Sequence, residues 1–114
     1  MDASDDDFPR VVGSAPLPVV IDFWGPWCAP SRKLGPVFEQ LATALAGRAK
    51  LVRVNVEDTP HVVELYGVQG LPTLLAVYEG RAIARKCGAA QAPEVRDWVE
   101  EALRRSVSAA TSDG

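Results

Sequence analysis

With 114 residues, 47% of them apolar, the chain is long enough for one domain with a proper hydrophobic core and needs no covalent staples. A formal net charge of −3 gives no electrostatic reason to expect nucleic acid or an anionic membrane, and the longest apolar runs, such as Leu71 to Tyr78, are strand-sized, which excludes a transmembrane helix. Two cysteines, Cys28 and Cys87, and one histidine, His61, are too few and too scattered for a zinc site, so neither metal nor cofactor is expected.

The acidic start, Met1 to Asp7, lacks the charged-then-apolar pattern of a signal segment, and the expected location is cytoplasmic. Residues 1–4 read as a disordered N-terminus. Asp5 to Gly13 reads as a short helix, with Asp5, Asp6 and Asp7 at its positive end. Two prolines make Ser14 to Pro18 a linker. Val19 to Trp24 is predicted as a strand buried on both faces, with Asp22 its one charged residue. The helix that follows carries Leu34, Val37, Phe38, Leu41 and Leu45 on one face, should be kinked by Pro36, and ends at Gly47.

Leu51 to Val56 is rich in β-branched residues and reads as a strand. Thr59 and Pro60 are the expected cap and first residue of a short helix that stops at Gly67, on which His61 is a solvated residue. Thr73 to Glu79 and Arg81 to Cys87 form two strands joined tightly at Glu79-Gly80-Arg81, hence an antiparallel hairpin. The last helix starts near Pro93, with Val95, Trp98, Val99, Ala102 and Leu103 as its buried stripe. The domain is expected over residues 5–105, with a disordered tail over 106–114. The order α-β-α-β-α-β-β-α predicts an α/β fold: a mixed sheet, parallel in its βαβ part and antiparallel in its terminal hairpin, with helices on both faces.

Chemistry concentrates in Trp24-Gly25-Pro26-Trp27-Cys28-Ala29-Pro30-Ser31, between the first strand and the long helix. A cysteine at a helix N-terminus meets outward-pointing N–H groups and a positive dipole end, which favour the thiolate. Cys28 is therefore the candidate nucleophile. The i, i+3 spacing puts Ser31 on the same helix face, where its hydroxyl can donate to the thiolate but cannot attack a disulfide. Pro30 fits a first helical turn and restricts Ala29. Trp24 and Trp27 frame the site with apolar area suited to exposed peptide; Trp98 is assigned to the core.

Several separated features now resemble the thioredoxin family over roughly Asp5 to Arg105: the strand Val-Ile-Asp-Phe-Trp, the Trp-Cys-x-Pro helix start, Pro36, Gly70-Leu71-Pro72-Thr73, Glu79-Gly80 and Gly88. The wording around Cys28 looks most like the bacterial subclass that carries an N-terminal zinc ribbon, which is absent here. The chain departs from the family twice. The usual first edge strand is expected to be missing, and Ser31 stands where the resolving cysteine belongs.

The resemblance implies a protein thiol–disulfide oxidoreductase, here monothiol, with Cys28, Ser31, Asp22 and Pro72 as its catalytic positions. Asp22 matches a buried acid of raised pKa that serves the second cysteine. Its replacement by Ala or Asn is expected to stabilise the fold, because a buried carboxylate without a partner is costly. Arg53 matches a position often occupied by Lys, as a charge partner for Asp22 or a strand-edge surface charge. Pro72 is expected to be cis, beside a groove formed by Trp27, Ala29, Pro30, Leu71 and Gly88. Cys87 is a possible auxiliary thiol near that groove. Expected partners are disulfide-containing client proteins and a thiol reductant, such as a thioredoxin reductase or glutathione, with the chain acting as a monomer. The competing expectation is a non-catalytic binding module that uses the groove around Trp27, Pro30 and Pro72.

Overall fold

The computed structural model describes residues 2–13 and 16–112; Met1, Ser14 and Ala15 of the expected linker, and the last two residues of the expected tail lie outside the described residues. The strands are β1 (Val19–Trp24), β2 (Lys50–Asn55), β3 (Thr73–Tyr78) and β4 (Arg81–Cys87), and the helices are α1 (Ala29–Ala44), α2 (Pro60–Leu65) and α3 (Ala92–Ser112). They form one mixed sheet in the order β2-β1-β3-β4, with β1 parallel to β2 and the other pairs antiparallel. This is the expected architecture. The β3–β4 connection places Glu79 and Gly80 at φ 53° and 78°, the paired positive values that suit the twist of a tight hairpin.

Strand alternation divides the interior into two cores. Val19, Ile21 and Phe23 of β1 join Val52, Val54, Leu75 and Val77 under α2 and the N-terminal segment, where Phe8, Val11 and Val12 are also buried. Val20 joins Leu51 and Leu74 under α1 and α3, against Leu34, Phe38, Val95 and Val99. Asp22 and Arg53 share the parity of Val20 and Leu51, so both side chains belong to the α1 side of the sheet. Helix α1 continues through Pro36, which lacks the N–H that would otherwise bond the Arg32 carbonyl.

The structure differs from four expectations for the ends and caps. Residues 2–4 are not frayed: Asp2 forms a parallel bridge with Arg53, and the Ala3 N–H donates to the Arg53 carbonyl at 3.1 Å. The open edge of β2 presents unpaired backbone groups, and this bridge satisfies part of it. Among the described residues no full strand lies at that edge, in line with the expected loss of the first strand. At the other end, α3 runs past Arg105 to Ser112. Ser106 continues the buried stripe, and its hydroxyl donates to the Leu103 carbonyl at 2.6 Å, so its burial strands no polar atom.

The caps differ as well. The segment expected as a helix from Asp5 is a turn over residues 5–7 followed by a π-helical stretch, Pro9–Gly13. Asp5 serves α2 instead: its carboxylate accepts from the N–H groups of His61 and Val62, each at 3.1 Å. Thr59, the expected cap, donates its hydroxyl to the Asn55 carbonyl. Asp7 accepts from the Ser4 N–H, which holds its pKa below the usual carboxylate value. Loss of a capping carboxylate costs about 1 kcal/mol. Asp5→Ala is therefore expected to lower the unfolding free energy by about 1 kcal/mol in urea titrations, with faster amide exchange in residues 60–65.

Candidate active site

The site starts from the turn that follows β1. The Cys28 N–H donates to the Gly25 carbonyl at 3.1 Å, which closes the turn and leaves Cys28 as the extended N-cap of α1, with φ −99° and ψ 109°. No side chain caps the helix, so the first-turn amides face outward beside the thiol. Cys28 is half-buried, and its Sγ lies 3.7 Å from the Leu71 carbonyl oxygen. The Leu71–Pro72 bond is cis, as expected, and Pro72 is buried. Its carbonyl accepts from the Gly88 N–H at 2.9 Å. Gly88 takes φ 93°, a conformation that disfavours other residues, as the chain leaves β4.

Three segments thus meet at Sγ: the start of α1, the Leu71–Pro72 corner and, through Pro72, the Gly88 loop. Ala29 and Pro30 are exposed on the first turn of α1. Trp27 is 62% exposed, and its ring lies so close over Gly25 that a Cβ there would fall 2.9 Å from it and 3.0 Å from Leu71. A glycine before Pro-Trp-Cys is the sequence signal for that close approach. Trp27 and Leu71 thus both close over Gly25, and Leu71 also reaches the thiol through its carbonyl.

The Cys28 thiol titrates below its ordinary value. The hydroxyl of Ser31 is the first cause, followed by its backbone N–H; slight desolvation opposes them and the Arg32 charge adds to them. Ser31 is fully buried, and its Oγ has no hydrogen-bond partner. One turn from Cys28 on the same helix face, that hydroxyl is placed where it can donate to a thiolate. Ser31→Ala is expected to move the pH midpoint of Cys28 alkylation upward, measured in a Cys87→Ser background.

Beneath Ser31 lies a charged layer. Asp22 and Arg53 are register partners on β1 and β2, and Arg53 Nε donates to Asp22 Oδ2 at 3.1 Å. The guanidinium also stacks 4.4 Å above the Trp24 ring. Gly35, one helical turn beyond Ser31, gives it room: a Cβ there would lie 3.1 Å from Arg53 Nη1. Sequence reading missed Gly35, although a glycine inside an amphipathic helix signals close approach. It also left Arg53 between two roles, of which the ion pair is the one observed.

Asp22 is therefore paired with Arg53, one of the two arrangements that the sequence left open. Burial still dominates and raises its pKa to about 6, with the Arg53 charge and hydrogen bond opposing. A raised acid pKa means the native state holds the proton more tightly than the unfolded chain. Stability is then full below about pH 4, falls as pH rises to about 6, and is flat above, a loss of about 3 kcal/mol. Asp22→Asn is expected to remove that slope, as measured by denaturant unfolding from pH 4 to pH 8, so any gain from the substitution is confined to the upper end.

Cys87 is exposed at the end of β4, paired with Thr73, whose Oγ1 lies 3.9 Å from its Sγ. That places it one residue from Gly88 and next to the residue after Pro72. Both cysteines are free thiols. Among the described residues no group of His, Cys, Asp and Glu could hold a metal, and no helix is long and apolar enough to cross a membrane.

A half-buried thiol thus stands at the head of a helix, beside a cis-proline corner, on a four-stranded mixed sheet. The thioredoxin family model matches residues 1–101. The chain is 35% identical over 98 residues to thioredoxin of Haemophilus influenzae, covering 86% of this chain and 92% of that one. It is 37% identical over 100 residues to thioredoxin of Rhodospirillum rubrum, covering 88% and 96%, and 33% identical over 100 residues to thioredoxin 1 of a Nostoc species, covering 88% and 94%. The chain belongs to the thioredoxin family of thiol–disulfide oxidoreductases.

Proposed function

We propose that this chain is a monothiol protein-disulfide oxidoreductase. The observation that carries the reading is the contrast between residues 28 and 31: Cys28 offers an accessible thiol of lowered pKa, whereas one turn on there is a buried hydroxyl. The Cys28 thiolate attacks one sulfur of a client disulfide, forms the mixed disulfide and releases the client's other sulfur as a thiolate. Ser31 stabilises the attacking thiolate and cannot complete the second exchange. Asp22, with a pKa of about 6, is a nearby proton carrier for the departing thiolate.

Client backbone lies along Leu71 and Pro72, against Trp27. Partners are disulfide-bearing proteins and a thiol reductant, and the setting is the reducing cytoplasm, where the chain works as a monomer. Incubation with oxidised insulin is expected to accumulate a Cys28–client disulfide, visible by mass under non-reducing conditions. Ser31→Cys is expected to relieve the block and raise insulin reduction by a dithiol at least about 100-fold, because the resolving thiol becomes intramolecular. A chain that captures no covalent partner, yet binds one through Trp27 and Pro72, is a binding module instead.

A further inference from the structure

The monothiol reading leaves a gap, and the inference that follows rests on that reading. Once Cys28 is in a mixed disulfide, a second thiol must attack it. One cavity, about 480 Å³, lies at the other end of the sheet, by Pro18, Tyr78 and Leu103, and cannot serve Cys28. A second cavity of about 440 Å³ opens beside the site, between α1 and the loop that follows Gly88. One wall starts at Pro30, two residues from Cys28. The other starts at Ala89, just past the Gly88 amide held by Pro72. The volume falls within the range of small-molecule sites and exceeds what one side chain fills.

The lining has a definite chemistry. Leu34, Val37, Ala90 and Ala92 make an apolar floor, Gln91 offers an amide, and Lys33 and Glu94 stand on opposite rims. Glu94 is already neutralised by Lys86. Lys33 is exposed and makes no hydrogen bond or ion pair among the described residues. The rim therefore presents a net positive charge with one unengaged cation, and the walls suit an extended, amide-bearing molecule with a carboxylate for Lys33.

We propose that this cavity binds a small anionic, peptide-like thiol that resolves the Cys28 mixed disulfide. Its thiolate attacks Sγ of Cys28, forming a new S–S bond as the Cys28–client bond breaks and the client sulfur leaves as a thiolate. A second molecule attacks the bound one's sulfur, releasing Cys28 thiolate and the small symmetrical disulfide. The sum converts one client disulfide and two small thiols into the client dithiol and the oxidised small thiol. Lys33 is the positioning residue for the anionic end.

The test uses glutathione as probe and 2-mercaptoethanol as the uncharged comparison. The full chain is loaded as a Cys28–peptide disulfide, and its resolution is followed against thiol concentration. The expected result is saturation with glutathione and a linear response with 2-mercaptoethanol. Lys33→Glu is expected to raise the half-saturating concentration about fivefold, the effect of losing one exposed ion pair, and Ala90→Trp, which fills the cavity, is expected to raise it as well. S-methylglutathione, which cannot react, should shift amide resonances of residues 33–37 and 89–94 in the reduced protein. Linear kinetics with both thiols and no such shifts overturn the inference while leaving the monothiol reading intact. Resolution without added thiol that disappears in Cys87→Ser overturns it in favour of Cys87. Failure to form any mixed disulfide with an activated peptide overturns both readings together.

Discussion

The Asp22–Arg53 pair is the constraint around which the active end of the molecule is arranged. Parallel pairing of β1 with β2 sets the two residues side by side, and strand parity turns both toward α1. A carboxylate that is fully buried needs a partner, and the guanidinium provides a bond at 3.1 Å while its plane rests on Trp24. The volume of that guanidinium then dictates the helix above it. Gly35 faces it, where a Cβ would crowd Nη1 at 3.1 Å, and the helix so placed carries Cys28 at its head. The position of the thiol is thus tied, through one helix, to an ion pair in the layer below.

That layer is more polar than the surrounding core. Asp22 Oδ1, Arg53 Nη2 and Ser31 Oγ are buried side-chain atoms without partners. Polar groups held this way in a low-dielectric interior are expensive. Ser31 and Gly35 lie one turn apart on the helix face that covers the pair, so the orphan atoms belong to one neighbourhood rather than to scattered packing defects. Groups kept at such a cost in one place beneath a reactive thiol suit a functional layer better than a structural one.

Most of the fold and the centre of the site were legible in the chain. Alternation and helical spacing report local burial, so β1, α1, the hairpin and the Leu71–Pro72 corner were readable, and Cys28 followed from its place at a helix start. What escaped was nonlocal. Periodicity does not name the group above a buried charge, which is why Gly35 passed unnoticed and Arg53 was left with two roles. Thr59 had the right residue type and position for a cap, but the amides it would have served were taken by Asp5. The small, polar residues after Arg105 looked like a tail because composition does not reveal that Ser106 returns its hydroxyl to its own helix.

The Asp5 cap also orders events in time. Its two donors, His61 and Val62, lie 56 and 57 residues downstream. Helix α2 has only six residues, too few to persist alone in water. The Asp5 carboxylate therefore has no helix amide to cap until His61 and Val62 are in place. Only then can its carboxylate close the head of α2 while Ala3 docks on the edge of β2. These contacts join residues about fifty or more positions apart, and together they complete the wall behind the buried face of the sheet.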